Sequence, residues 1–430
     1  MADAATNVNT GMNFNQIATV MASIVGQATG KNALTATTTA DFISQAQTGL
    51  KTGYDPLLNA INQVLSRTIF SIRPYSAKFT EIRWDSRKWG NHVRKINFAD
   101  TGYEEDNRLG RDVSGTYTNW ADGDSVDPYT IKKPVVLQTN WYSQNMYQKH
   151  YTIFRDQLDS AFSGPDEFQR FLTGVVSTVT DELEQAREEF ARAIIANYIG
   201  ALYSQGTGVT PRDTGRLIHL CTDYVTEMGL TGEVGESEGQ YASARALCLD
   251  SKYYDSFIKW LFAKIAILSD LFTERSMLYQ SLITPSGASA PLPIMRHTPY
   301  EKQRMYLFTD TLKNIDTRVL SAAFHDNYLK IGKHNTVNYW QSIKTRDTVK
   351  VTPSTIDATG AYVTGGGGAQ TVSNIFGILF DEEAIAMTQG STWSAPTPFN
   401  ARGGYSNVFY HMTVMGLNDM TEKGVLLILD

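Results

Sequence analysis

Between Ser163 and Gln205 the apolar positions fall on one helical stripe. Phe168, Phe171, Leu172, Val175, Val176, Val179, Leu183, Phe190, Ile194, Tyr198 and Leu202 recur at gaps of three, four and seven. The pattern predicts the longest helix of the chain, roughly 60 Å at ~1.5 Å per residue. Ser163 suits the N-cap, Pro165 the first turn, and Asp166 and Glu167 the positive end of the helix dipole. Gly206-Thr207-Gly208 supplies the stop. Asp181, Glu182, Glu184, Arg187, Glu188, Glu189 and Arg192 predict a solvated face along the middle turns, with Glu188 and Arg192 spaced for an ion pair.

The other patterns are shorter. Leu57, Leu58, Ile61, Val64 and Leu65 predict a helix within 54–71, and Val135 to Leu137 a short strand. Leu217 to Val225 reads as helix or strand, and Gly229 to Gly239 as a loop. Asp250 to Thr273 is amphipathic at helical spacing (Tyr254, Phe257, Ile258, Leu261, Ile265, Leu268), whereas Ser281 to Pro299 is broken by four prolines. Arg304 to Phe308 predicts a strand, Thr309 to Lys330 a helix, and Asn335 to Val351 strand again. Asn374 to Phe380 reads as a buried strand, Asp381 to Thr388 as a short capped helix, and Tyr405 to Met415 and Gly424 to Leu429 as closing strands.

Residues 1–53 differ from all of this. They are rich in Ala, Thr, Asn and Gln, carry only four charged side chains and include the run Thr35-Ala-Thr-Thr-Thr39. Such a segment is expected to be disordered, or ordered only against partners. Gly26 to Asn32 is loosely like a phosphate loop, but its glycine spacing is one short, Asn32 stands where Ser or Thr would meet magnesium, and no strand precedes it.

Composition narrows the class. A chain of 430 residues accommodates two or three domains, or one core with large excursions. With 42% hydrophobic and 19% charged residues it is expected to fold and to be soluble. Its 38 basic and 44 acidic residues argue against a dedicated nucleic-acid binder. The 22 tyrosines suggest broad aromatic contact, in a core or between subunits. Two cysteines, Cys221 and Cys248, exclude a disulfide scaffold and fit a reduced compartment. No apolar run reaches the ~20 residues of a membrane helix and Met1-Ala-Asp-Ala lacks a secretion signal, so no membrane partner is expected.

Charge is informative in residues 75–150. Lys78, Arg83, Arg87, Lys88, Arg94 and Lys95 are interleaved with Phe79, Ile82, Trp84 and Trp89. This fits a grip on single-stranded nucleic acid, or a long exposed hairpin whose charges face water or another subunit. Asp100, Glu104, Glu105, Asp106, Asp112, Asp122, Asp124 and Asp127 then make the returning limb acidic, which favours the hairpin with complementary pairing within it or between copies. The expected inter-subunit residues are Arg83, Trp84, Arg87, Lys88, Trp89, Arg94, Lys95, Glu104, Glu105 and Asp106.

Catalytic chemistry is not legible. His92, His150, His219, His297, His325, His334 and His411 are scattered, and His219 with Cys221 lacks a third ligand at local spacing. Asp381-Glu382-Glu383 is better explained by a helix start than by catalytic carboxylates, Asp310 by a helix cap, and Gly365 to Gly368 by a turn without a Lys-Thr pair. No catalytic, cofactor-binding or metal-binding residue is assigned, and no cofactor or enzymatic activity is expected.

The order of parts resembles the major capsid proteins of tailed double-stranded-DNA bacteriophages, the Hong Kong 97 fold. The resemblance implies an α+β chain with an N-terminal arm (1–74), an extended loop (75–150) and a peripheral domain with a long spine helix (151–208). An axial domain (209–370) and returning strands shared by the two domains (371–430) complete it. Asn374 to Met387 is similar to the strand and short helix late in such proteins, and Met412 to Asp430 to their final strands. The function so implied is self-assembly through hexamers and pentamers into an icosahedral virion shell around packaged DNA, assembled in the host cytoplasm. A separate scaffolding protein and a portal are the further partners. Rival readings are a portal or tail component and a cytoplasmic α+β enzyme without a readable motif.

Overall fold

The computed structural model describes residues 13–31, 33–65, 77–84, 92–99, 129, 131, 133, 135–142, 145–207, 215–285, 291–292, 294–311, 333–357 and 359–430. They form a mixed helix-and-sheet chain divided into two compact units. One unit comprises Met1–Asn91, Ser143–Arg192 and Met387–Gly416; the other comprises His92–Tyr142, Ala193–Ala386 and Leu417–Asp430.

The first unit begins with three helices. Helix α1 (Phe14–Thr29) starts at a capping box in which Asn13 and Gln16 each accept the other's backbone N–H at 2.9 Å. Thr38 and Asp41 repeat the device for α2 (Thr39–Lys51), and α3 (Tyr54–Leu65) follows. Ile17, Met21, Ile24, Phe42, Leu57 and Ile61 share one core with Leu158 of α4 (Arg155–Ala161) and Phe168 of α5 (Pro165–Thr207). Residues 14–29 and 39–51 are therefore helical and packed within the chain, contrary to the expectation of disorder or of order only against partners. The fully buried Ala18 and Ala46 explain the misreading. Alanine contributes little to an apolar stripe yet lets helices approach, while each large side chain buried beside it is worth about 1.5–3 kcal/mol. The threonine run supplies the cap of α2.

In the same unit, β1 (Arg83–Trp84), β4 (Asn145–Phe154), β13 (Ile385–Pro396) and β14 (Tyr405–Asn418) form a sheet in the order β1-β13-β14-β4. The β4–β14 ladder is antiparallel from Asn145↔Val414 to Phe154↔Tyr405. Ile153 and Val408 turn into the helical core, and Thr152 donates to Asn407 at 2.7 Å on the opposite face.

Helix α5 has the expected extent. Its start differs in detail: the Ser163 hydroxyl donates to the Ser160 carbonyl at 2.6 Å, and Pro165 is the first helical residue. Phe168, Ile194, Tyr198 and Leu202 are buried, Leu183 and Phe190 half-buried. The side chains of Leu172, Val175, Val176 and Val179 lie outside the described residues, as does Gly208. Glu188 and Arg192 form the expected ion pair at 2.7 Å, but both are buried instead of solvated. Phe79 covers the Arg192 guanidinium at 5.0 Å, and the backbone N–H of Lys78 donates to Glu188.

The second unit is built on a five-stranded sheet. In the order β5-β15-β12-β6-β7 it comprises Leu217–His219, Gly424–Ile428, Ile375–Asp381, Gln303–Phe308 and Lys333–Val337. The central β12 is buried at every residue, as its apolar run predicts. Helices α6 (Leu220–Glu227), α7 (Ala244–Leu249) and α8 (Tyr254–Thr273) pack Tyr224, Leu247, Leu261, Ile265 and Phe272 against Met305, Leu307, Leu379 and Leu427. Tyr198 and Phe380 pack together elsewhere in this unit, with ring centroids 6.2 Å apart. Two small antiparallel ladders join β8 (Val349–Val351) to β11 (Gln370–Val372) and β9 (Thr355–Ile356) to β10 (Tyr362–Val363). The stretch read as helix or strand from Leu217 is both in succession. Beyond residue 311 the helix expected to Lys330 lies outside the described residues.

The short helix expected over Asp381 to Thr388 is absent. Asp381 ends β12, and its carboxylate accepts from the Glu383 N–H at 2.8 Å and the Thr298 hydroxyl at 2.7 Å. Its carbonyl accepts from Ala384 at 2.9 Å, which closes a turn, and β13 begins at Ile385. An acidic side chain serves a tight turn as well as a helix start.

Candidate functional site

Strands β2 (His92–Phe98) and β3 (Val136–Tyr142) form an antiparallel ribbon, paired from His92↔Tyr142 to Phe98↔Val136. The acidic residues 100–127 of the expected hairpin lie outside the described residues. Alternation separates the ribbon's faces. Val93, Lys95, Asn97, Leu137, Thr139 and Trp141 are buried or half-buried on one face. On the other, Ile96, Phe98, Val136 and Tyr142 are 48%, 65%, 48% and 67% exposed, and Arg94 is exposed among them.

Lys95 anchors the covered face. Its ammonium lies 2.9 Å from Asp419 and 2.5 Å from Glu422, both in the β14–β15 connection, and 3.0 Å from Glu383 in the β12–β13 turn. Arg296 also reaches Glu422 at 3.1 Å. Asp419 accepts from the Thr421 N–H at 2.9 Å, which shapes the connection. Burial alone would depress Lys95, yet Asp419 and Glu422 hold its pKa above the usual lysine value. Burial would raise Asp419; Lys95 and Thr421 outweigh it and hold the carboxyl below its usual range. At Glu422 burial prevails over Lys95 and Arg296, and the carboxyl is raised.

A second cation fixes the same connection. Arg216 is fully buried, and its guanidinium donates to the carbonyls of Gly424 (3.0 Å), Met420 (2.9 Å) and Glu422 (3.3 Å). It donates also to Ser281 Oγ (2.8 Å), Gln205 Oε1 (3.2 Å) and the Tyr198 hydroxyl (3.1 Å). The Lys423 ammonium donates to the carbonyls of Glu274 (2.6 Å) and Leu271 (3.2 Å) and to Ser276 Oγ (3.1 Å), so it caps the end of α8. Asn418 to Gly424 is thus a buried polar knot on which the ribbon rests.

Of the ten expected contact residues, four are among the described residues: Arg83, Trp84, Arg94 and Lys95. Arg83 pairs with Glu184 of α5 at 3.3 Å, and Trp84 beside it is exposed. Arg94 lies on the open face of the ribbon, and Lys95 is engaged within its own chain. Arg87, Lys88, Trp89, Glu104, Glu105 and Asp106 lie outside the described residues. Sequence reasoning missed Ile96, Phe98 and Val136, for which period-2 alternation from His92 to Phe98 was the available signal. It also missed Asp419, Glu422 and Lys423, whose local pattern is that of an ordinary polar turn.

Among the described residues no group of three or more His, Cys, Asp or Glu could hold a metal ion, and no helix is long and apolar enough to cross a membrane. His219 Nδ1 faces Asp430 at 2.7 Å. The arrangement is one of anchoring: a ribbon fastened by ions on one face and open on the other, apolar at its Phe98–Val136 end.

A sequence profile of Phi29-like phage major capsid proteins matches residues 21–427. No curated protein sequence matches the chain. Among solved structures, the capsid of Staphylococcus phage Andhra is similar at 10% identity and TM-score 0.49, over 84% of this chain and 87% of that one. The mature capsid of bacteriophage PhiM1 is similar at 8% identity and TM-score 0.41, over 84% and 90%. The capsid of cyanophage P-SCSP1u is similar at 11% identity and TM-score 0.40, over 84% and 91%.

Proposed function

This chain belongs to the family of Phi29-like phage major capsid proteins, and we propose that its hairpin ribbon joins neighbouring copies in the shell. It is a building unit of a phage virion capsid and assembles with copies of itself. The finer reading is a Hong Kong 97-type chain. The helix-and-sheet unit holding β4, β13 and β14 serves as its peripheral domain, and the unit with the five-stranded sheet as its axial domain. Copies gather into hexamers and pentamers that close an icosahedral shell around double-stranded DNA. Assembly takes place in the host cytoplasm with a separate scaffolding protein and a portal, and the chain's role is structural without catalysis. The net charge of −6 fits a shell that holds DNA by confinement more than by phosphate contacts.

The observation that carries the ribbon's role is its open face. Ile96, Phe98 and Val136 form an exposed apolar cluster at one end of the ribbon, followed along the same face by Gln138 and Arg94, on a ribbon whose other face is fastened by Lys95. Exposed apolar side chains bordered by polar ones are the make-up of a protein–protein contact. Part of the charged contact set remains in the proposal: Arg87, Lys88 and Arg94 on one limb face Glu104, Glu105 and Asp106 across copies, while Arg83 and Lys95 are engaged within their own chain. Negative-stain microscopy of the wild-type chain should show closed shells, and Ile96→Asp with Phe98→Asp should leave a folded chain that forms none. Reversing Arg87, Lys88 and Arg94 to Glu should weaken assembly, and the wild type should lose assembly as salt rises. Wild-type shells from the Asp double variant would exclude the ribbon's open face from the contact.

A further inference from the structure

The chain has two cysteines, Cys221 and Cys248, and the fold brings them together. Cys221 lies in the first turn of α6 and Cys248 near the end of α7. They are 27 positions apart, and Cys248 Sγ is 3.9 Å from the Cys221 carbonyl oxygen. Both thiols are free and fully buried in one core with Leu220, Leu247 and Phe257. The Cys248 thiol beside it, and then burial, push the Cys221 thiol well above the usual range.

We propose that Cys221 and Cys248 are a latent disulfide site: a small-molecule disulfide converts the buried thiol pair into an intrachain bond that staples α6 to α7. A cysteine packs in a core as a small hydrophobe, so one alone would carry no such meaning. Here the chain's two cysteines meet through the fold, across a connection in which residues 231–239 are largely exposed. Bonded sulfurs lie ~2.05 Å apart, so closure draws together two side chains that already share one core. The reaction balances as thiol–disulfide exchange. The thiolate of one cysteine attacks the small disulfide, forming a mixed disulfide and releasing one small thiol. The second cysteine's thiolate then displaces the other small thiol. Both thiol protons and the electron pair leave with the two released thiols.

The raised Cys221 thiol makes exchange slow in the closed fold, because the thiolate is the attacking species. The pair therefore stays reduced through synthesis and closes after the surroundings become oxidising. That timing rests on the reading of a shell assembled in the host cytoplasm and carried in the virion; the chemistry does not.

The test uses the purified full chain. It is incubated with oxidised glutathione, unfolded in guanidinium with iodoacetamide, digested, and analysed by mass spectrometry without reduction. The expected product is a peptide pair linked through Cys221 and Cys248, with both cysteines protected from alkylation and both restored by dithiothreitol. The oxidised chain should show a thermal midpoint raised by about 5 °C, a gain absent in Cys221→Ala and Cys248→Ala. Alkylation of both cysteines after prolonged oxidation, glutathione adducts without a link, or links between chains each overturn the proposal. A linked pair with an unchanged midpoint overturns the staple. No particle enters the experiment, so its failure leaves the capsid reading intact, and failed shell assembly leaves the thiol chemistry standing.

Discussion

The ammonium of Lys95 stands 2.9 Å from the carboxylate of Asp419, a residue 324 positions later, and this pair fastens the ribbon to its own unit. Lys95→Met would leave buried carboxylates without their shared cation, at a cost of about 3–5 kcal/mol. Glu422→Gln is expected to cost far less, about 1 kcal/mol, because burial already favours the neutral form there. Acid should separate the two carboxyls. Asp419 is depressed in the fold, so its contribution is complete above about pH 4 and lost as pH falls through its folded value. Glu422 is raised, so its neutral form favours the fold below about pH 4.3 and that advantage fades as pH rises through its folded value. The ribbon should therefore stay protected in mild acid and open below pH 4. Amide exchange across residues 92–98 against pH, in the wild type and in both variants, checks this.

Arg216 is a buried cation that donates to neutral oxygens from α5, Ser281 and the β14–β15 connection. Arg216→Ala removes all of these donors at once and should cost about 3–5 kcal/mol. Arg216→Lys should recover little, since an ammonium cannot reproduce the planar fork. Urea midpoints of the two variants compared with wild type give the measurement. A near-wild-type midpoint for Arg216→Lys would mean that charge alone is what the knot needs.

Legibility in the sequence followed interaction range. Helix α5 could be read because its periodicity runs across 43 residues, and β12 and β15 because uninterrupted apolar runs mark buried strands. The Glu188–Arg192 pair is local and was visible as spacing. Its burial was not, because Lys78 and Phe79 arrive from more than a hundred positions away. For the same reason Lys95 read as one more exposed base, though its partners lie 324 and 327 positions later. In α1 and α2 the signal was present but weak, since alanine and threonine dilute the apolar stripe. The ribbon's apolar face was hidden by the charges interleaved with it.

Lys423 predicts an alkaline effect of opposite sign to the usual one. Burial pushes its ammonium down to about 8, against about 10.4 in an unfolded chain. Between these values the folded chain binds fewer protons than the unfolded one, so this group's contribution to stability rises with pH. The window closes near pH 10, where tyrosines begin to oppose it: Tyr198, buried and raised to about 12, stays protonated in the fold while its unfolded counterpart ionises. Urea unfolding at intervals from pH 8 to pH 10 should show a rise in wild type that Lys423→Met flattens. A parallel rise in the variant would assign the effect elsewhere.

Gly424 opens β15 at the crowded centre of the knot. Its N–H donates to the Tyr279 carbonyl at 2.8 Å, and its own carbonyl accepts from Arg216 Nε at 3.0 Å. A Cβ at this position would overlap the Tyr198 hydroxyl, with Arg216 Nη2 close behind. Gly424→Ala should therefore destabilise by overpacking, about 1–3 kcal/mol, without removing any hydrogen bond. Tyr198→Phe removes the obstructing hydroxyl and leaves one Arg216 donor short of a partner, a loss of about 1–2 kcal/mol. If the hydroxyl is what excludes a side chain, the two changes share one cause. The double variant should then be more stable than the sum of the single effects predicts, by about 0.5–3 kcal/mol. Urea unfolding of all four proteins at one pH closes the cycle. Simple additivity would mean that Tyr198 yields to the added methyl, and that the tighter constraint on Gly424 comes from the Arg216 guanidinium behind it.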